Sequence, residues 1–140
     1  MTGDLKNSTL AIMVQQITKG IKISVEVAYD GPLQRNHFLY HNFSYYITIE
    51  NKSLETVQLT DRFWKIYDSL NYIQIVEGEG VVGQTPVLVP EDTYRYKSGC
   101  FLLSSFGAMS GYYKMLNVET EQIFDVAIPT FQLSTHISSN

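Results

Sequence analysis

The glycine-rich run from Glu77 to Gly83 is the segment whose residue types most directly suggest chemistry. Gly78, Gly80 and Gly83 have the G-x-G-x-x-G spacing of loops that hold the pyrophosphate of a dinucleotide. Such a loop must follow a strand and lead into a helix, whose N-terminus receives the phosphate. Here Val81 and Val82 are β-branched where the helix should begin, and Gln84-Thr85-Pro86 follows without a helical repeat. A dinucleotide site of the usual kind is therefore not expected.

Two interpretations of the glycine run remain open. The favoured one is a structural turn or bulge that uses the positive φ of glycine. The other is a site for phosphate or a partner, built from consecutive backbone N–H groups without a helix. Glu77 and Glu79 would repel a phosphate, but they share one face of a strand and could approach a common divalent cation. Solvated loop carboxylates are the commoner outcome.

The histidines and the single cysteine offer little chemistry. His37 and His41 are four residues apart, a spacing that pairs side chains only on a helix, and the intervening residues lead into a strand. We therefore expect both, and His136, to be loop histidines. Cys100 stands beside Phe101 and is expected to be a small buried apolar residue rather than a nucleophile.

Arg62 and Trp64 are the strongest candidates for a binding surface, because these residue types anchor many interfaces. The apolar alternation set by Val57 and Leu59 changes parity before Trp64, which a regular strand cannot do. The sequence therefore predicts a β-bulge or strand break at Thr60-Asp61 that re-aims both side chains. The alternative is that Arg62 pairs with Asp61 or stacks on Trp64 to close the fold.

The elements that must position these residues are strands. Apolar residues alternate with polar ones in Ile21–Tyr29, Phe43–Glu50 and Thr93–Lys97, and no segment has a helical apolar stripe. The pattern predicts seven to nine short strands in two antiparallel sheets packed face to face. We expect the first strand to end at Asp30-Gly31-Pro32, a break at Ser98-Gly99, and the last alternation to end at Pro129.

Composition limits the class of protein. The 140 residues, of which 44% are hydrophobic, suit one domain with a packed core. The net charge of −4 and the scattered basic residues argue against nucleic acid as partner. No apolar run is long enough to span a bilayer, and the N-terminus lacks the pattern of a secretory signal. With one cysteine and no internal disulfide, the chain is expected to be soluble and cytoplasmic. Residues 1–12 are expected to form a flexible N-terminal segment and residues 13–140 a single domain.

Eight segments together resemble a known family. They are Ile17-Thr-Lys-Gly-Ile21, Tyr45-Tyr-Ile-Thr-Ile-Glu-Asn51, Val57-Gln-Leu59 with Arg62-Phe-Trp64, Gly78-Glu-Gly-Val-Val-Gly83, Pro86-Val-Leu-Val-Pro90, Tyr96-Lys-Ser-Gly99, Gly107-Ala-Met-Ser-Gly-Tyr112 with Met115, and Ile128-Pro-Thr-Phe131. In order and spacing the chain resembles the ApaG domain family. The resemblance implies an immunoglobulin/fibronectin-III-like antiparallel β-sandwich of two sheets and a bacterial protein linked to cobalt and magnesium homeostasis. It supplies no catalytic residues.

The sequence therefore favours a non-enzymatic protein-binding module, with no cofactor and no metal ligands. Its partner would be another protein rather than nucleic acid or a membrane, and the chain would be a monomer or homodimer. The expected binding residues are Gly78, Gly80, Gly83, Arg62, Trp64, Tyr96 and Ser98. The alternative is a nucleotide- or pyrophosphate-binding protein, and at most a weak metal-dependent phosphohydrolase, that uses the glycine-rich loop.

Overall fold

A computed structural model describes residues 12–136, and these form nine β-strands and no helix. The strands are β1 (Ile12–Thr18), β2 (Ile21–Arg35), β3 (Phe38–Asn51), β4 (Val57–Asp68), β5 (Gln74–Glu79), β6 (Val87–Leu88), β7 (Thr93–Leu102), β8 (Phe106–Asn117) and β9 (Ile123–Ser134). They make two antiparallel sheets, ordered β1-β2-β3-β7 and β5-β4-β8-β9, with β6 paired to the start of β4. The predicted fold class, an all-β immunoglobulin/fibronectin-III-like sandwich, is confirmed. The described residues include no helix able to cross a lipid bilayer.

The core lies between the sheets and is built by the residues that the alternation assigned to the inner faces. Because successive side chains of a strand point to opposite faces, every second residue enters the core over residues 21–27 of β2 and 43–49 of β3. The side chains with less than 2% exposure include Ile21, Ile23, Ile47, Ile49, Phe43, Leu59, Tyr113, Met115, Phe131 and Leu133.

The two sides of the sandwich differ. On one side β9 packs against β1 and β2, and the Ala127 N–H donates to Thr18 Oγ1 at 3.3 Å, which closes the sandwich there. On the other side β7 is the edge of the first sheet and β5 the edge of the second. A cavity opens between these two edges, and it is bordered by the turn that follows β5.

The predicted bulge in β4 is confirmed. The register between β4 and β8 shifts between Leu59 and Asp61, so Thr60 is the extra residue. Leu59 and Trp64 are therefore both buried although their numbers differ in parity. The bulge directs Arg62 toward the space between the sheets and leaves Asp61 on the outer face.

Three predicted strand ends are wrong. The first predicted strand, which is β2, continues past Asp30-Gly31-Pro32 to Arg35. A register shift between Tyr29 and Gly31 absorbs the extra residue. The last strand runs through Pro129, which lies where the register between β8 and β9 shifts and no ladder hydrogen bond is needed from its nitrogen.

The third wrong boundary is the break at Ser98-Gly99, since β7 is continuous across it. Gly99 is required there for a different reason: a Cβ on it would lie 2.7 Å from the carbonyl oxygen of Phe43. β1 was not predicted as a strand, and it begins at Ile12, inside the segment expected to form the flexible N-terminus. Residues 1–11, which make up the rest of that segment, lie outside the described residues.

Candidate functional site

The glycine-rich run forms a two-residue β-turn, not a phosphate cradle that leads into a helix. The Val81 N–H donates to the Gln84 carbonyl at 2.8 Å, and the Gln84 N–H donates back at 2.9 Å. Val82 and Gly83, the two residues at the tip, have φ values of 47° and 79°, as a type I′ turn requires. The favoured interpretation of the glycines as a structural turn is confirmed.

The backbone donors of this turn are largely occupied. Besides the two hydrogen bonds across the turn, the Gly80 N–H donates to the carbonyl of the bulge residue Thr60 at 2.7 Å. Gly80 has φ of 67°, and a Cβ on it would lie 2.3 Å from the Gln84 carbonyl oxygen. The turn is thus hydrogen-bonded to the bulge of β4, and its Gly80, Val81 and Gln84 N–H groups are not available to an anion.

Val82 is in an unusual conformation for its type. A β-branched residue at positive φ is strained by about 1–2 kcal/mol, and such strain marks positions worth testing for function. Its side chain is 61% exposed and lines the cavity between β5 and β7. No residue pattern in the sequence pointed to it.

The cavity between the two free edges has a volume of about 310 Å³, and we call it the edge groove. Its lining residues come from both sheets and from the turn: Tyr45, Arg62, Trp64, Ile66, Val76, Val81, Val82, Tyr96, Lys97, Ser98, Gly99, Cys100 and Met109. Four predicted binding residues, Arg62, Trp64, Tyr96 and Ser98, are among them. The three predicted glycines do not line it, but they shape the wall that carries Arg62 and Val82.

Arg62 is held in place by the turn. Its Nη1 donates to the carbonyl oxygens of Glu79 and Gly80, both at 2.9 Å. Its guanidinium lies against Gly78, where a Cβ would stand 3.0 Å from both Nη atoms. Among residues 12–136, Arg62 has neither a carboxylate within 4.0 Å nor a stacking contact with Trp64. The alternative in which it pairs with Asp61 or stacks on Trp64 is therefore wrong.

Trp64 contributes the floor of the groove rather than an exposed anchor. It is 3% exposed and packs edge-on against Tyr45, at 5.4 Å between ring centroids, and against Phe131, at 5.9 Å. Its indole is therefore core, and only the part facing the groove is available to a ligand.

Three tyrosine hydroxyls face one another between the sheets behind the groove. Tyr96 of β7 and Tyr113 of β8 share a hydrogen bond that joins the two sheets. Burial raises the pKa of both residues, and it raises the pKa of Tyr45 despite the lowering influence of the neighbouring Ser98 hydroxyl. All three hydroxyls stay protonated at neutral pH. Tyr45 was missed as a site residue because its inward alternation in β3 marks it only as core.

Tyr96→Phe should destabilise the protein by about 1–3 kcal/mol, because it leaves the fully buried Tyr113 hydroxyl without its partner. Tyr113→Phe should cost less, since Tyr96 is only partly buried and borders the edge groove. The double variant should be about as stable as Tyr113→Phe. Urea unfolding of the four proteins measures this cycle; simple additivity of the two single effects would contradict the contact.

The cysteine and the three histidines lie in surroundings that suit structural roles rather than chemistry. Burial raises the pKa of the Cys100 thiol to about 12, and its Sγ lies 3.7 Å from Met109 Sδ, so it is not a thiolate nucleophile. His37 is in the turn between β2 and β3, and His136 follows β9. His41 is not a loop residue as predicted: it lies in β3, with Nδ1 2.8 Å from the Tyr29 hydroxyl.

Glu77 and Glu79 lie on the outer face of the second sheet. With Asp61 they border a second open cavity that also contains Lys114 and the stacked rings of Phe63 and Tyr112, and Arg62 borders both this cavity and the edge groove. Within residues 12–136, no three His, Cys, Asp or Glu side chains gather closely enough to hold a metal ion. Lys114 pairs with Asp125 at 3.4 Å, and this face is a charged, solvated surface.

Comparison with known proteins supports one family. A family model described as the ApaG domain matches residues 33–117. Protein ApaG of Brucella canis is 42% identical over 124 residues, covering 86% of this chain and 92% of its own length, and Protein ApaG of Brucella anthropi is 41% identical over the same coverage.

Solved structures agree with the sequence matches. A Bordetella pertussis protein whose crystal structure carries the name ApaA is 34% identical, has a TM-score of 0.73, and matches 86% of this chain and 96% of its own. An X-ray structure of a structural-genomics target reaches a TM-score of 0.78 at 35% identity, over 83% of this chain and 87% of its own. With the family model covering more than half of the residues, the chain belongs to the ApaG domain family.

Proposed function

We propose that this protein is a non-enzymatic binding module that holds an extended segment of a partner protein in the edge groove. The observation that carries the proposal is the position of the groove, between two unpaired sheet edges and alongside residues 96–100 of β7. An exposed edge strand can accept a further strand from a partner, with main-chain hydrogen bonds for affinity and side-chain pockets for specificity. Arg95 and Lys97 on β7 are the charges that keep such an edge from pairing indiscriminately.

The titratable groups of the groove support binding over catalysis. They are tyrosine hydroxyls and a thiol whose pKa is raised by burial, whereas a general base or nucleophile at neutral pH needs a pKa near or below 7. Arg62 is the nearest cation, and its guanidinium donates to backbone carbonyls on one side. The pKa values of the tyrosine hydroxyls and the thiol stay raised beside it.

The rest of the proposal follows from the family and the surface. We place the protein in the bacterial cytoplasm, as a monomer or homodimer that binds another protein and neither nucleic acid nor membranes. Its link to cobalt and magnesium homeostasis would act through that partner, because no acidic or histidine cluster among the described residues offers a metal site.

No contact in the described chain favours the alternative of a nucleotide-binding loop. The N–H groups of Gly80, Val81 and Gln84 bond to backbone carbonyls, and the neighbouring Glu77 and Glu79 repel phosphate. Calorimetry with ATP, GTP and diadenosine polyphosphates, with and without magnesium, tests this alternative, and clear heats of binding would restore it.

Val82→Glu should abolish partner binding without unfolding the protein, because the side chain is exposed at the rim of the groove. Val87→Glu is the matched control: it makes the same change on the neighbouring β6, where Val87 is 51% exposed and does not line the groove. Partners are first identified by quantitative capture from a lysate of the source organism. Binding of each purified candidate to the three proteins is then measured.

We expect at least a tenfold loss of affinity for Val82→Glu and less than a twofold change for Val87→Glu. Equal binding by wild type and Val82→Glu would mean that the edge groove is not the site. Equal loss in both variants would place the partner on the outer side of the segment that joins β5 to β6 instead.

A further inference from the structure

The edge groove contains a cation, although the chain as a whole has a net charge of −4. Its lining residues include Arg62 and Lys97 but no Asp or Glu. Lys97 lies on the outer side of β7, with Nζ 5.5 Å from the centre of the Tyr46 ring, so its charge is directed away from the groove. Arg62, which also borders the outer cavity with Glu77 and Glu79, is therefore the cation that a ligand in the groove meets.

Arg62 has donors left for a ligand. Only Nη1 takes part in its two hydrogen bonds, and an arginine side chain has five N–H donors. No buried side-chain nitrogen among the described residues lacks a partner, so the remaining donors of Arg62 are open to solvent. The carbonyls of Glu79 and Gly80 fix the plane of the guanidinium, and Gly78 allows it to lie flat. A guanidinium already held in one orientation loses little freedom when it binds.

The surroundings strengthen an anionic contact at this position. Trp64, Ile66, Val76 and Met109 give the groove an apolar floor and wall, which lower the local dielectric and strengthen charge-assisted hydrogen bonds. The Ser98 side chain lies on the facing strand, where its hydroxyl neighbours Tyr45. An arginine held in one orientation over an apolar floor is suited to a planar carboxylate, which it can bind through two parallel hydrogen bonds.

We propose that the edge groove recognises a carboxylate on the extended partner segment, and that Arg62 is the residue that binds it. This inference rests on the proposed function and adds the chemistry of the ligand. The segment lies along β7 and directs one acidic side chain, Asp or Glu, between Arg62 and Ser98. Its neighbouring side chains pack on the apolar floor.

The test is selection from a display library of random twelve-residue peptides on the immobilised wild-type protein. The enriched peptide is then synthesised in three forms: as selected, with its acidic residue changed to the amide, and with an amidated C-terminus. Affinities are measured by calorimetry, and the binding site by amide and arginine Nε–Hε shifts in NMR spectra. Because the first change is made in the peptide, folding of a protein variant does not affect the comparison.

We expect enriched peptides to share one acidic position, and the amide form to bind at least tenfold more weakly. We also expect shifts at Arg62 and along β7, and weaker binding at higher salt. Arg62→Lys, which keeps a donor for the carbonyls of the turn, should lose part of the affinity, while Arg95→Lys, also on β7 but outside the groove lining, should not.

Each result decides between the two proposals. Enriched peptides that shift the β7 resonances but share no acidic position would overturn the inference and leave the proposed binding module intact. Loss of affinity on amidation of the C-terminus alone assigns the carboxylate to a chain end and overturns the side-chain form. Absence of any enriched peptide that shifts β7 overturns the proposed function, and the inference with it.

Discussion

Gly80→Ala should lower the free energy of unfolding by about 3–5 kcal/mol, because two separate constraints meet at this residue. Its φ of 67° is unfavourable for any side chain. A Cβ would also stand 2.3 Å from the Gln84 carbonyl oxygen, which belongs to backbone and cannot rotate away. Relief of the clash must break the hydrogen bonds of the turn or the one from the Gly80 N–H to Thr60. Urea unfolding followed by the fluorescence of Trp64, the single tryptophan, measures the loss.

Gly83→Ala is the matched control for that variant. Gly83 has a similar φ of 79°, but nothing lies within 4 Å of the position its Cβ would take. Its substitution should therefore cost only the conformational term, about 1 kcal/mol. Equal losses in the two variants would show that Gly80 does not pack against Gln84 as described. A large difference establishes that the glycine run is needed for backbone packing, independently of any ligand.

The features that could be predicted from the sequence are those that follow directly from the two-residue alternation of side chains in a strand. The parity change between Leu59 and Trp64 required one extra residue, and Thr60 is that residue. The alternation over Thr93–Lys97 likewise predicted a strand, and these residues begin β7. A helix was not expected after the glycine run, because Val81 and Val82 are β-branched where it should begin and no helical repeat follows, and β6 follows instead.

The contacts that make the site were not predictable, because they join residues far apart in the chain. The hydrogen bonds from Arg62 to Glu79 and Gly80 depend on the register between β4 and β5, which no local pattern specifies. The Tyr96–Tyr113 bond depends on how the two sheets face each other. Gly99 and Pro129 were read as strand breakers by type, whereas close packing and a register shift make each compatible with its strand.

Asn51→Asp should destabilise the protein by about 4 kcal/mol at neutral pH, because Asn51 uses every hydrogen-bonding position of its amide while fully buried. Its Nδ2 donates to the carbonyls of Glu55 at 2.7 Å and Leu88 at 2.9 Å. Its Oδ1 accepts from the Ser53 N–H at 2.9 Å and the Ser53 Oγ at 2.6 Å. These bonds connect the end of β3 in one sheet to β6 in the other, and a carboxylate would turn two of them into repulsions between oxygens.

The pH dependence identifies this cause. Burial beside two carbonyls raises the folded-state pKa of the introduced carboxyl above its unfolded value, so the protonated form is favoured in the folded protein. The destabilisation relative to wild type should therefore be greatest at neutral pH and shrink as the pH falls toward the unfolded value near 4. It should not vanish, since a protonated carboxyl has one donor where the amide has two.

Asn36→Asp makes the same chemical change at an exposed turn and should alter stability by less than about 0.5 kcal/mol at any pH between 4 and 8. A deficit for Asn51→Asp that does not change with pH would mean that lost packing, not the uncompensated carboxylate, is responsible. A deficit below about 1 kcal/mol would mean that β3 and β6 are not joined through this amide at all. Since β6 follows directly from the turn that carries Val82, loosening this joint should also widen the edge groove and weaken partner binding in proportion to the stability lost.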